Sequence, residues 1–221
     1  MDRTYHYMTE HGVLPPECGV NDEVGAWQLK TFCATRSFCL WLNKGVDVLH
    51  YFVAYEDKAT SFGLLPVNLK TLPVDAKFET VATPPMRVLQ NLTRAFAGSV
   101  PLAKTDPLGI EVTALGPQTK VFEGDATHPP LWNREVLAAL PFQVNPQKHL
   151  VAVYVMTRDM TNRLSPAQFR LKLTGVKGTQ VTYYDPLENR NLPVQATATA
   201  DNGVEVTLSV SDYPRLLGVG K

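Results

Sequence analysis

Residues Val204–Val210 read VEVTLSV, and their side chains alternate strictly between apolar and polar. Residues Phe169–Leu173 (FRLKL) alternate in the same way. Because successive side chains of a β-strand point to opposite faces, each stretch has one apolar face and one polar face. The two stretches therefore predict strands of an antiparallel sheet that packs one face on a core and exposes the other to water.

Turn signals separate these strands from their neighbours. Asp201-Asn202-Gly203 predicts a hairpin that joins Leu192–Ala200 to Val204–Val210, and a second turn is predicted at 175–178. Leu150–Met156 is apolar on both faces, which predicts a central strand. Short strands at this spacing continue from about residue 100, so we expect an antiparallel β-sandwich over residues 99–221.

The first 98 residues have a different pattern. Val48–Ala54 is an almost continuous apolar run, which is typical of parallel strands covered on both faces. It follows a shorter β-favouring run at 5–9 and a helix predicted to reach Asn43, with Asn21 or Asp22 as its N-cap and Gly45 as its stop. One face of a second helix is marked by Met86, Leu89, Phe96 and either Leu92 or Thr93. The order is strand, helix, strand, helix, and it breaks at Ala97–Pro101.

The charge balance argues against two classes of partner. The chain has 21 basic and 21 acidic residues, so no excess of positive charge predicts binding to nucleic acid or to an anionic membrane surface. No apolar run approaches the roughly 20 residues that span a bilayer. The cellular location stays unassigned. Cys18, Cys33 and Cys39 are an odd number, and we interpret them as small hydrophobic residues rather than as a disulfide framework.

Acidic residues follow each predicted parallel strand. Glu10 follows the first, and Glu56 and Asp57 follow the second. In β/α barrels the residues at the carboxyl ends of the strands line the active site. By itself this pattern is weak, because ordinary loops also carry acids. A metal site at His6, Glu10 and His11 is disfavoured, since the similar zinc motif lies on a helix and this segment is predicted to be a strand.

Three stretches together resemble the end of the barrel of a clan A glycoside hydrolase. They are Met8–Gly12 (MTEHG), Asn43–Val46 (NKGV) and Leu49–Tyr55 (LHYFVAY). Further along, Tyr184–Pro186 (YDP), Asn191–Val194 (NLPV) and Asp212–Leu217 (DYPRLL) resemble the β-sandwich that closes many such chains. The resemblance implies an α/β plus all-β chain. Its residues 1–98 would be a partial (β/α)₈ barrel with the last two strands and helices, and its residues 99–221 an antiparallel β-sandwich.

The same resemblance implies roles for four residues. Glu10 corresponds to the catalytic nucleophile of a retaining glycosidase, and Tyr55 lies at the mouth of the eighth strand. Glu56 and His11 are the other candidate substrate-binding residues. The expected substrate is a glycoside or polysaccharide, and no cofactor or metal is implied.

A retaining glycosidase needs two carboxyl groups about 5–5.5 Å apart, one as nucleophile and one as acid and base. In the clan the second carboxyl usually lies in an Asn-Glu pair, and this sequence contains none. Two strands also cannot close a barrel, and they leave edges through which copies of the chain could self-associate. We therefore expect the chain to be inactive alone.

One alternative stays open: a non-catalytic β-sandwich module with a structural or carbohydrate-binding role. Trp132 could stack on a sugar, although packing is the more common role of such a residue. The aromatic residues on strands, such as Phe169, are expected to be buried, which favours the structural role.

Overall fold

A computed structural model describes residues 7–55, 58–65, 73–77, 82–100, 102–133, 135–156, 167–176 and 178–220. The chain divides into two compact units, Met1–Ala95 and Phe96–Lys221. It has mixed α/β content in which strands predominate, and the described residues include two α-helices. No helix among the described residues is long and apolar enough to cross a membrane.

The first unit is built on a strand–helix–strand motif. Strands β1 (Tyr7–His11) and β2 (Val48–Tyr51) pair in parallel and are joined through a short 3₁₀ helix at Pro15–Cys18 and the long helix α1 (Glu23–Asn43). Helix α2 (Pro84–Ala95) packs against α1. Parallel strands need a crossover connection, and α1 supplies it.

The ends of α1 follow the predicted capping chemistry. The Asp22 carboxylate accepts a hydrogen bond of 2.8 Å from the backbone N–H of Gly25, so Asp22 and not Asn21 is the N-cap. The helix ends at Asn43, and Gly45 follows with φ at +82°, the left-handed conformation that glycine adopts most readily. Strand β2 is shorter than predicted, because regular pairing with β1 stops at Tyr51.

Helix α2 resolves the choice between two residues for its apolar face. Leu92 is buried and Thr93 is exposed. Val88 is also buried, whereas Met86 and Leu89 are only half-buried, so the buried face is rotated from the one predicted.

The described residues of the second unit form two large antiparallel sheets and a small two-stranded sheet. Its strands are β3 (Gly109–Leu115), β4 (Lys120–Phe122), β5 (Leu131–Trp132), β6 (Leu137–Asn145), β7 (Lys148–Val155), β8 (Ala167–Thr174), β9 (Gln180–Asp185), β10 (Arg190–Leu192), β11 (Gln195–Ala198), β12 (Val204–Val210) and β13 (Arg215–Gly220). A five-stranded sheet has the order β10-β9-β13-β7-β6, a four-stranded sheet has the order β11-β12-β8-β3, and β4 pairs with β5.

Both large sheets contribute to one hydrophobic cluster. Strand β7 supplies Val151, Val153 and Val155, and the alternate residues of β8 and β12 supply the facing side. The predicted alternation is confirmed: Phe169, Leu171, Leu173, Val204, Val206, Leu208 and Val210 are all buried. The prediction that Leu150–Met156 forms a central strand is also confirmed, since β7 lies between β13 and β6.

One predicted strand is divided in the structure. Leu192 belongs to β10 in the five-stranded sheet, whereas Gln195–Ala198 forms β11 in the four-stranded sheet. Pro193 lies between them. Because proline has no N–H to donate to a ladder, it ends β10 and lets the chain change sheets. The hairpin between β11 and β12 forms as predicted, with Asn202 at a φ of +57°.

Candidate functional site

The carboxyl ends of β1 and β2 lie at the same edge of their parallel sheet. His11, the last residue of β1, is in register with Tyr51, the last residue of β2. Glu10 is the preceding residue of β1, and the pairing is irregular between Met8 and His11. Glu10, predicted to follow this strand, is instead its penultimate residue, and His11 is its last. The side chain of Glu10 lies outside the described part of the structure.

His11 and Tyr51 form a ring pair at this edge. Their ring centroids are 4.8 Å apart and the rings are nearly perpendicular. The backbone N–H of Phe52 donates a 2.8 Å hydrogen bond to the carbonyl of His11, which continues the pairing one residue beyond β2. Burial lowers the pKa of His11, so its imidazole is neutral at pH 7, and burial raises the pKa of Tyr51 above its usual range. Neutral His11 can accept or donate a hydrogen bond, but it supplies no positive charge here.

Gly12 allows the chain to turn away from the end of β1. A Cβ atom at this position would lie 2.3 Å from the carbonyl oxygen of Phe52 and 3.3 Å from the ring of Phe62. No side chain fits in that space without a shift of backbone. The glycine of the Glu10-His11-Gly12 stretch is therefore required by the close approach of two backbone segments.

A loop extends the site beyond the strands. The backbone N–H groups of Leu64 and Leu65 donate to the carbonyls of Val53 and Ala54, and Tyr55 forms a parallel bridge with Leu65. Tyr55 is half-buried. Segment 64–65 thus runs parallel to the chain that continues from β2.

Two buried side chains from other parts of the chain donate hydrogen bonds to the backbone of this loop. Lys30 on α1 is fully buried, and its Nζ donates a 2.5 Å hydrogen bond to the carbonyl of Gly63 while lying 4.5 Å from the centre of the Trp27 ring. The hydroxyl of Thr83 donates to the carbonyl of Leu64. No local pattern in the sequence indicates this role of Lys30, because a lysine within an apolar helix is normally a solvent-facing residue.

Aromatic side chains flank the same edge. Phe52 is 41% exposed and packs edge-on against Phe62, with ring centroids 5.4 Å apart. The exposed ring of Phe52 offers an apolar surface at this edge. Among the sequence-predicted residues, Glu56 and Asp57 lie outside the described residues, as does His6.

No metal-binding group is built from the described residues, since no three His, Cys, Asp or Glu side chains among them converge. Cys39 is buried, whereas Cys18 and Cys33 are half-buried. Burial raises the pKa of Cys33 to about 11 and that of Cys39 to about 12, so both thiols are protonated and unreactive at neutral pH.

No model of a known protein family matches this chain, and a search of curated protein sequences finds no match.

In the second unit, two motifs of the sequence meet in a polar cluster. Tyr213 and Arg215 each donate to Oδ2 of the fully buried Asp185, at 2.6 and 2.8 Å. Oδ1 of Asp185 accepts the backbone N–H groups of Leu187 and Glu188. The YDP and DYPR stretches thus build an ion pair inside the fold, and we assign it a structural role. Trp132, the other residue singled out from the sequence, is half-buried in β5 and lies under the Lys120 amine, which is 5.6 Å from the ring centre.

Proposed function

We propose that this chain is the C-terminal part of a retaining glycoside hydrolase, with Glu10 at the position of the nucleophile. In this proposal the first unit is the end of a (β/α)₈ barrel, and the second unit is a β-sandwich. The supporting observation is the parallel pairing of β1 with β2 through α1, which sets Glu10, His11 and Tyr51 at one strand edge. That edge is where barrel enzymes place their catalytic residues.

The proposed chemistry assigns one role to each residue. Ionised Glu10 attacks the anomeric carbon and the leaving oxygen takes a proton from a second carboxyl group. His11 and Tyr55 contact the sugar, together with Glu56. The second carboxyl group is expected on upstream strands of the barrel, and the chain alone is expected to be inactive.

The exposure of the two strands also supports the proposal. None of the described side chains of β1 and β2 is buried, and Tyr7 is 59% exposed. Parallel strands are normally covered on both faces, so this pair has the character of part of a larger sheet. A glycoside or polysaccharide is the proposed substrate. Self-association through the open edges of these strands is a further proposal.

The test uses the gene as well as the protein. If the DNA upstream of Met1 continues in frame and encodes strand–helix repeats with an Asn-Glu pair, it supplies the gene of the extended enzyme. We expect that enzyme to hydrolyse an aryl glycoside and Glu10→Gln to abolish turnover, whereas Glu17→Gln, an exposed acid of the same unit, should leave turnover unchanged. Added azide should restore turnover to Glu10→Ala, because a small anion can replace the missing nucleophile.

Two results would overturn the proposal. One is an extended enzyme whose hydrolysis of aryl glycosides survives Glu10→Gln. The other is a promoter directly upstream of Met1, because the proposal requires barrel strands that are encoded before this residue.

The second candidate function is a non-catalytic module formed by residues 99–221. A structural role is favoured by the complete burial of Phe169 and by the compact cluster that both large sheets share. Retention of this segment on a polysaccharide would instead favour the carbohydrate-binding form of this alternative.

A further inference from the structure

The four-stranded sheet of the second unit ends at β11, which is an edge strand in the order of the described strands. All of its residues are exposed. The stretch that contains it, Val194–Ala200 (VQATATA), has no charged residue, no proline and no glycine. Native proteins usually protect an edge strand with a charge, a proline or a bulge, because its free N–H and C=O groups can pair with another chain.

The other edges of the two large sheets each carry one of these protective features. Strand β3 has the exposed Glu111, strand β6 has Pro141 near its middle, and strand β10 begins with the exposed Arg190. Strand β11 has neither a charge nor a proline, and its pairing with β12 is continuous, without a bulge. Among the described edges of the large sheets, β11 is therefore the one most open to a further strand.

The hairpin determines which backbone groups of β11 face the free edge. The N–H of Thr199 donates a 2.9 Å hydrogen bond to the carbonyl of Gly203, so these residues form a hydrogen-bonded pair. Hydrogen-bonded and non-hydrogen-bonded pairs alternate along an antiparallel ladder. When the register is followed back from Thr199, Thr197 bonds to β12, whereas Ala196 and Ala198 direct their N–H and C=O groups away from it.

These outward groups match those of a second copy of the chain. When two β11 strands lie antiparallel about a two-fold axis at Thr197, Ala196 of one copy lies opposite Ala198 of the other. Residues opposite each other in this way exchange both of their N–H···O bonds, so each outward group of Ala196 and Ala198 gains a partner. The same surface then meets itself, as in a dimer with two-fold symmetry.

The charges around β11 do not oppose this contact. Asp201, in the hairpin turn, is paired with Lys172 at 2.8 Å, and Glu205, opposite Thr197 on β12, is paired with Arg170 at 3.4 Å. The formal net charge of the chain is zero, so two copies carry no net charge with which to repel each other. At the axis, uncharged Thr197 faces its counterpart, and no like charges lie directly opposite each other.

We propose that β11 is a self-association edge, through which two copies of the chain pair and join their four-stranded sheets into one continuous sheet. An edge of four residues is small beside the roughly 1,200 Å² that specific interfaces bury, so the dimer is weak and forms at high protein concentration. The contact is separate from the strand edge that carries Glu10, and it does not depend on glycosidase ancestry.

Sedimentation and NMR of the full chain, from micromolar concentration to about 1 mM, test the proposal. We expect the sedimentation coefficient to rise with concentration. Over the same range the amides of Ala196 and Ala198 should become protected from hydrogen exchange, whereas the amide of Val112 on the edge strand β3 should not change.

Charges placed at the axis identify the partner. Thr197→Lys sets like charges opposite each other and should weaken association by up to about fivefold, and Thr197→Glu should do the same. A mixture of the two variants should recover association, because opposite charges then meet, and a foreign strand on β11 would not respond in this way. Gln168→Lys, which adds the same charge at an exposed position of β8, should leave association unchanged.

Ala196→Pro removes an outward N–H group and no bond to β12. Each copy of the dimer then lacks one donor, so association should weaken by about tenfold or more, while the amide shifts of Thr199 and Gly203 report that the hairpin is intact.

Three results would overturn the proposal, and none of them bears on Glu10. The first is a chain that stays monomeric over the whole range of concentration. The second is association that Thr197→Lys and Ala196→Pro both retain. The third is a mixture of the Thr197→Lys and Thr197→Glu variants that associates no more tightly than either variant alone.

Discussion

Gly12 shows how a single residue determines the shape of the strand edge. A methyl group at this position would enter the space of the Phe52 carbonyl oxygen, only 2.3 Å from the new carbon. We expect Gly12→Ala to destabilise the first unit by about 1–3 kcal/mol, because overpacking forces the backbone to move. Urea denaturation followed through the amide NMR signals of the first unit measures this change.

The matched control is Thr93→Ala, a substitution at an exposed position of α2 in the same unit. It should change the free energy of unfolding by less than about 0.5 kcal/mol. Equal stability of Gly12→Ala and the unaltered chain would contradict the close approach described above.

Asp185 is the residue on which the polar cluster of the second unit depends. Burial, followed by the hydrogen bond and charge of Asp185, raises the pKa of Tyr213, so Tyr213 remains a donor at neutral pH. Asp185→Ala leaves Arg215 without its buried partner, and we expect a loss of about 3–5 kcal/mol in the free energy of unfolding. Tyr213→Phe removes one hydrogen bond to a charged group and should cost about 1.5–3 kcal/mol.

Urea denaturation read through the amide signals of β9 and β13 tests both values. The ranking of the two losses in the free energy of unfolding is a sharper test than their sizes, because an unpaired buried charge costs more than a lost hydrogen-bond donor. A larger effect of Tyr213→Phe than of Asp185→Ala would show that the cluster is not organised around the carboxylate.

At the scale of elements, the β11–β12 hairpin is tied to β8 by an ion pair. Lys172 on β8 lies 2.8 Å from Asp201 in the hairpin turn. The hydrogen bond from Lys172 is the largest cause that lowers the pKa of Asp201 from 3.8 to about 2. The lowered pKa means that the pair stabilises the fold above about pH 4 and that this contribution is lost as the pH falls towards 2.

An NMR titration of the Asp201 carboxyl carbon measures this shift directly. We expect a midpoint near 2 in the unaltered chain and a higher midpoint in Lys172→Met, although still below 3.8, because the Thr199 hydroxyl continues to donate to Asp201. Arg170→Met is the control, because Arg170 pairs with Glu205 on the same face of the sheet and not with Asp201. A midpoint near 3.8 in the unaltered chain would show that Lys172 and Asp201 do not form this ion pair.

The elements themselves differ in how far local sequence predicts them. The start of helix α1 was predictable to within one residue, because its N-cap, Asp22, bonds to a residue three positions away and needs no other part of the chain. Strands β8 and β12 were predictable because alternation is a local pattern with a single face to bury. The division of Leu192–Ala200 was missed, because the sheet that each half joins depends on strands far away in the sequence.

At the scale of the whole molecule, the division into two units predicts separate folding. The second unit contains its own hydrophobic cluster, and the ring of Phe96 packs edge-on against Phe142 of β6 within it. We expect a protein consisting of residues 96–221 to fold alone, with dispersed amide signals and a cooperative urea transition. A fragment without dispersed signals would show that the second unit needs the first.

A fragment that begins at residue 99 provides a comparison. It lacks Phe96, and its stability should be lower than that of the 96–221 fragment, since an aromatic pair contributes about 0.5–1.5 kcal/mol beyond the area that it buries. Equal stability of the two fragments would show that the contact between Phe96 and Phe142 does not stabilise the second unit.

Sequence alone determined the periods, the caps and the turns of this protein, because each arises from residues within a few positions of one another. It also predicted a strand that ends just before Glu10, whereas β1 extends through Glu10 to His11. Only the tertiary structure determined the register in which β1 pairs with β2 and the burial of Lys30 against Gly63. These features join residues between 33 and 41 positions apart, and no local pattern encodes such contacts.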